Sequence, residues 1–128
     1  MAYSIFREPN MRAWVGVRPG HNGVEVFEEF YGNATAEFYE VPADSLLLLF
    51  DWHLGLTGAA GGDSFLEIRN AADVHFRYIA SCSGQAANPG SNTSQALWLP
   101  IEIPALFDFR VITASTTTAY IHGVLIDA

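Results

Sequence analysis

Apolar and polar residues alternate through most of the last third of the chain. Three segments carry the pattern: Ala96 to Ile103, Leu106 to Ile112 and Thr117 to Asp127. Alternation with a period of two marks strands that bury one face and wet the other. The last apolar residue is Ile126, so the final strand is expected to be an integral member of a sheet and not a trailing tail.

The earlier segments extend the all-β reading. Val24 to Tyr31 and Thr35 to Val41 flank Gly32-Asn33, a pair tolerant of positive φ, which predicts a hairpin. In Ser45 to Leu56 simple alternation puts Leu46, Leu48, Phe50, Trp52, Leu54 and Leu56 on one face. The other face changes from Leu47 and Leu49 to Asp51 and His53. This predicts a long central strand, buried on both sides at its start. A second hairpin is expected from Phe65 to Arg69 and Val74 to Ala80, around Asn70 to Asp73. Two stretches of small residues, Thr57 to Asp63 and Ser83 to Ser94, read as loops, and the second is long enough to suggest a function. No amphipathic helix of three turns is visible. Eight or nine short strands predict an antiparallel β-sandwich, jelly-roll-like, because such a chain must cover two sheet faces. Alternation does not choose between jelly-roll and other Greek-key strand orders.

The length of 128 residues suits one domain with a real core. The longest apolar run, Leu46 to Phe50, falls far short of the roughly 20 residues of a membrane span, and no membrane partner is expected. Met1 to Asn10 shows no secretory pattern, so synthesis and folding in a cytoplasm are expected. Cys82 stands alone, which excludes an internal disulfide, and its neighbours Ser81, Ser83 and Gly84 supply no group that would activate a thiol.

Charge changes the picture more. The chain has no lysine, six arginines and fourteen acidic residues, for a net charge of −8. Binding of nucleic acid through the body is therefore not expected, since phosphate neutralisation needs a basic face. The charge is also uneven. Residues 1–20 hold Arg7, Arg12 and Arg18 against Glu8, whereas residues 21–51 hold seven acids and no base. The expected organisation is an extended N-terminal arm or edge segment over 1–20 and a β-sandwich over 21–128. Tyr3, Phe6, Arg7, Arg12, Trp14 and Arg18 are the candidate partner-binding residues, because aromatics and arginine are enriched at buried interface anchors. The plainer alternative is a first edge strand with a frayed leader.

Candidate chemistry is sparse. His21, His53, His75 and His122 are scattered, without H-x-H or HExxH spacing. Glu28 and Glu29 point to opposite faces of a strand and cannot act together locally. Glu25 and Glu37 would approach each other across the expected Gly32-Asn33 hairpin, where a cation or an arginine would have to separate them. Ser115 to Thr118 offers hydroxyls with no partnered histidine. The glycines precede no helix, so phosphate loops are not expected. No enzyme, cofactor or metal is expected.

Three stretches carry a resemblance. They are Phe38-Tyr39-Glu40-Val41-Pro42-Ala43-Asp44-Ser45-Leu46-Leu47-Leu48-Leu49, Trp98-Leu99-Pro100-Ile101-Glu102-Ile103-Pro104-Ala105, and Ala119-Tyr120-Ile121-His122-Gly123-Val124-Leu125-Ile126-Asp127-Ala128. Their pattern of turns and apolar positions resembles small β-sandwich structural proteins of tailed bacteriophages. Where those proteins place glycine after Pro-Ala, this chain has Asp44 and Leu106. The resemblance implies a virion component made in the host cytoplasm: a capsid decoration or cement protein, a minor capsid protein, or a fibre-associated domain. Its implied partners are the major capsid protein or other virion proteins and further copies of itself, with a trimer favoured. With 13% aromatic and only 16% charged residues, the surface is lean for a monomer. The alternative is a receptor- or glycan-binding head that uses residues 57–63 and 83–94, with Trp52 or Trp98 as a stacking face.

Overall fold

A computed structural model of the chain describes residues 23–57, 62–84 and 91–127. These form eight strands: β1 (Val24–Gly32), β2 (Ala36–Glu40), β3 (Ser45–Leu56), β4 (Gly62–Arg69), β5 (His75–Gly84), β6 (Ser91–Ile103), β7 (Asp108–Ile112) and β8 (Thr117–Asp127). One sheet has the order β1-β8-β3-β6 and the other β2-β7-β4-β5, with every pairing antiparallel. First pairs with last, second with seventh, third with sixth and fourth with fifth. The chain is thus one long nested hairpin rolled into two sheets, which is the jelly-roll topology.

The two inner faces meet in a single core. It includes Leu47, Leu49, Trp52, Leu54 and Leu56 from β3, Leu66 and Ile68 from β4, Phe109 and Val111 from β7, and Ala119 and Ile121 from β8. Burial of each large side chain is worth about 1.5–3 kcal/mol before entropy is charged against it. Two polar contacts tie β3 to β5 across the sandwich. Trp52 Nε1–H donates to the carbonyl of Ile79 at 3.1 Å, and the buried thiol of Cys82 donates to the carbonyl of Leu54 at 3.1 Å.

The β4–β5 hairpin forms as expected, and β3 and β8 have the bounds read from the pattern. Three local expectations are corrected. Gly32-Asn33 does not close a hairpin. β1 pairs with β8 and β2 with β7, so residues 33–35 carry the chain from one sheet to the other. Charge explains the choice. A β1–β2 ladder would oppose acid-rich strands, whereas β8 has no acid before Asp127 and Glu37 finds Arg110 opposite it on β7. Glu25 and Glu37 consequently lie in different sheets.

The second correction concerns β3. Its register slips between Leu49 and Asp51 against both neighbours, which inserts Phe50 as a bulge and reverses the facing of everything before it. Leu47 and Leu49 join Trp52, Leu54 and Leu56 inside, while Leu48 and Phe50 form a second buried cluster with Val124 and Ile126, flanked by Leu46. Opposite the bulge, β6 makes a longer excursion, since Ile101 pairs with Leu49 and Ala96 with Asp51. Thirdly, the expected loop from Ser83 to Ser94 is shorter, because β5 continues to Gly84 and β6 begins at Ser91.

Close packing at the bulge also explains Gly123. A Cβ there would lie 2.5 Å from the carbonyl oxygen of Leu48 and 2.9 Å from Leu47 Cδ1. The two Pro-Ala turns are twins. Asp44 and Leu106 have φ of 61° and 67°, in the left-handed region where glycine is favoured. The turns are joined by backbone hydrogen bonds from Leu106 N–H to Val41 O (2.8 Å) and Val41 N–H to Phe107 O (2.9 Å). Each turn therefore helps to hold the other at one end of the sandwich.

Candidate functional site

The candidate partner-binding residues Tyr3, Phe6, Arg7, Arg12, Trp14 and Arg18 lie outside the described residues, as do positions 58–61 and 85–90 and the side chain of Trp98. Trp52, the other candidate stacking face, is buried and spent on the core. The polar and aromatic clusters that the fold assembles lie on its two outer faces and edges.

The outer face of β1-β8-β3-β6 is divided along its length. At one end it carries the buried Leu48, Phe50, Val124 and Ile126. In the middle, His122 stands between two carboxylates, with Nδ1 2.9 Å from Asp51 Oδ2 and Nε2 3.2 Å from Glu25 Oε1. Both ring nitrogens can donate at once only in the imidazolium form. At the far end three rings stand in a row across three strands. Tyr120 stacks on Phe27 with centroids 5.2 Å apart and on His53 with centroids 5.5 Å apart. His53 Nδ1 is 2.7 Å from Ser94 Oγ. The Tyr120 phenol is held above the ordinary tyrosine range, first by burial and then by the nearby Asp51 carboxylate. Beside this row lies a cleft of about 270 Å³, lined by Phe27, Glu29, Tyr31, His53, Thr118 and Tyr120 among others. Tyr31 is 76% exposed and Phe27 50%.

The other sheet carries two ion-pair clusters. Arg69, at the end of β4, places Nε 2.8 Å from Asp108 Oδ1 and a terminal nitrogen 3.3 Å from Glu37 Oε1, with Asp73 Oδ1 at 4.0 Å. Asp108 is fully buried, and its Oδ2 has no hydrogen-bond partner among the described residues. One oxygen from each of Glu37, Asp73 and Asp108 lies within 4.8 Å of the others. Burial, then the neighbouring Asp108 carboxylate, raise the Glu37 carboxyl above its ordinary value, against the opposing pull of Arg69. The guanidinium already occupies the centre of this group, which makes the cluster a structural clamp between β2, β4 and β7. In the second cluster the buried Glu67 accepts from Arg110 Nε at 2.7 Å and pairs with His75 Nδ1 at 2.6 Å. Its two oxygens are thus both satisfied.

The remaining feature is the β5 edge. Val74, Phe76 and Tyr78 are exposed by 57, 55 and 49%, and Leu99 of β6 by 62%. β5 is an edge strand and pairs with β4 through two bulges, which leave Ile79 and Phe76 as extra residues. Such bulges twist an edge and obstruct strand addition, so anything that covers this surface engages side chains and not the backbone ladder.

Sequence reasoning placed Glu28 and Glu29 on opposite faces, and Glu29 indeed lines the outer cleft while Glu28 bears on Tyr39, whose phenol is raised first by burial. It missed the ring row, because Phe27, His53 and Tyr120 are spread over 94 residues of chain and only the β1-β8-β3 register brings them together. Period-two spacing of Phe27, Glu29 and Tyr31 was the available signal that they share a face. No protein-family model matches the chain, and no curated protein matches its sequence.

Proposed function

We propose that the chain is a non-enzymatic structural protein of a bacteriophage particle, a capsid decoration or cement protein that assembles with copies of itself and with the major capsid protein or another virion protein. The observation that carries the reading is the β5 edge. Val74, just before β5, and Phe76 and Tyr78 on it are each about half exposed, and the bulges of the strand obstruct simple sheet extension. Such area on a small rigid body is characteristic of a surface that assembly buries. Arg77, on the same edge, is exposed and has no ion-pair partner among the described residues. It can meet an acidic group on a neighbour. The jelly-roll frame and the resemblance of the Pro-Ala turns and closing strand point the same way.

The test is light scattering of the purified chain, alone and mixed with particles that lack it. The expected result is a small oligomer that coats particles at a fixed stoichiometry. Phe76→Ser should dissociate the oligomer or abolish coating, with the circular dichroism spectrum unchanged. A monomer indifferent to particles, in which Phe76→Ser changes nothing, refutes the reading. Deletion of residues 1–20 tests the arm in the same assay, with a folded domain that no longer assembles as the expected outcome.

A further inference from the structure

We propose that the cleft on the outer face of β1, β8 and β3 is a carbohydrate-binding site for neutral or amine-bearing sugars. This goes beyond the assembly role and uses the opposite edge of the sandwich from β5. The site is built by register. Tyr31 lies opposite Thr118, Glu29 opposite Tyr120, and Tyr120 opposite His53, so two phenol rings, one carboxylate, one threonine hydroxyl and one imidazole converge within three strands.

The chemistry of the lining selects the ligand class. Tyr120 is covered on both ring faces by Phe27 and His53, which fixes the row and leaves Tyr31 as the free aromatic platform, three-quarters exposed. A pyranose presents a C–H face that can pack flat on such a ring and a rim of hydroxyls that need donors and acceptors. Glu29 and Thr118 can accept from those hydroxyls. His53 engages Ser94 through Nδ1 and has Nε2 left for the ligand. An apolar peptide anchor would instead leave these polar groups unpaired. A cleft of about 270 Å³ is of the size that takes a small ligand and not an extended chain.

Charge narrows the class. Among the described residues the lining contains Glu29 and no arginine, in a chain with no lysine and a net charge of −8. Sialylated, sulfated and uronic-acid sugars would meet repulsion, whereas neutral hexoses fit and amino sugars gain an ion pair with Glu29.

The experiment uses the free full-length protein on an array of neutral, amine-bearing and anionic oligosaccharides, followed by calorimetric titration of the strongest-binding neutral or amine-bearing glycan. Retention of neutral or amine-bearing glycans and rejection of anionic ones is expected. Tyr31→Ala should weaken binding about tenfold or more, and Glu29→Lys should admit anionic glycans. Both side chains are exposed, so both variants should fold. Phe76→Ser should bind sugar as the wild type does. No retained glycan, retention of anionic glycans alone, or full affinity in Tyr31→Ala overturns the proposal. Particle coating is read separately, and Tyr31→Ala should leave it unchanged, so failure of the sugar site and failure of the assembly role are distinguishable.

Discussion

Replacement of Arg69 by methionine isolates the electrostatic clamp at the end of β4. Asp108 is fully buried, and one of its oxygens has no hydrogen-bond partner among the described residues, so the 2.8 Å bond from Arg69 Nε is what compensates its charge. Removing one member of a buried ion pair costs about 3–5 kcal/mol, because the other charge is left desolvated. Arg69 retains 15% exposure, which lets water reach the vacated site and places the expectation at the lower end, about 3 kcal/mol. A domain of this size has about 6–15 kcal/mol of stability, so the variant should fold and be measurable. In urea the midpoint should fall by about 1–2 M with an unchanged slope. Asp108→Asn introduced into the Arg69→Met background should restore at least half of the loss, since it removes the uncompensated charge and keeps the shape. A loss below about 1 kcal/mol, the range of exposed pairs, refutes the reasoning. So does a double variant no more stable than Arg69→Met alone.

Three further predictions concern backbone fit and pH. Gly123→Ala drives a Cβ to 2.5 Å from the Leu48 carbonyl oxygen; since backbone cannot rotate away, thermal unfolding should show a loss of about 1–3 kcal/mol, and an unchanged melting temperature would mean that β3 and β8 yield there. Leu106→Gly relieves a left-handed backbone worth about 1–2 kcal/mol but loosens the unfolded chain by about 0.4–1 kcal/mol, so urea unfolding should show a net gain of up to about 1.5 kcal/mol; a clear loss would show that the exposed leucine side chain contributes packing. Glu37 has a raised folded-state pKa, so the folded protein binds more protons than the unfolded chain just above pH 4.5, and the stability due to its protonated form is lost as pH rises through the folded value. Glu37→Gln should flatten stability against pH in that window, and an identical pH profile would refute the assignment.

Much of the architecture is legible in the sequence because a sheet needs only a period of two. Thr117 to Asp127 alternates cleanly and becomes β8, and Asn70 to Asp73 supplies the turn chemistry of the β4–β5 hairpin, in which the Asn70 side-chain oxygen accepts from the N–H groups of Ala72 and Val74. The acidic balance, with no lysine and a net charge of −8, is likewise read without any coordinates.

Partnership between strands is a tertiary property. Gly32-Asn33 has hairpin chemistry, yet β1 and β2 separate because β8 and β7 offer uncharged or oppositely charged faces. Alternation in Ser45 to Leu56 is genuine, but a run of leucines on both faces cannot announce the bulge at Phe50. Only the competing demands of β6 and β8 reveal which leucines enter the core. Asp44 and Leu106 illustrate the same division. Their departure from glycine is visible in the sequence, while the left-handed backbone that glycine would serve is seen only in the folded turns, which hydrogen bonds between Val41, Leu106 and Phe107 join. The sequence thus determined the strands and, away from the β3 bulge, their faces, which depend on neighbours two residues apart. Which strands meet, and therefore the ring row, the Arg69 clamp and the exposed β5 edge, was decided by contacts between segments far apart in the chain.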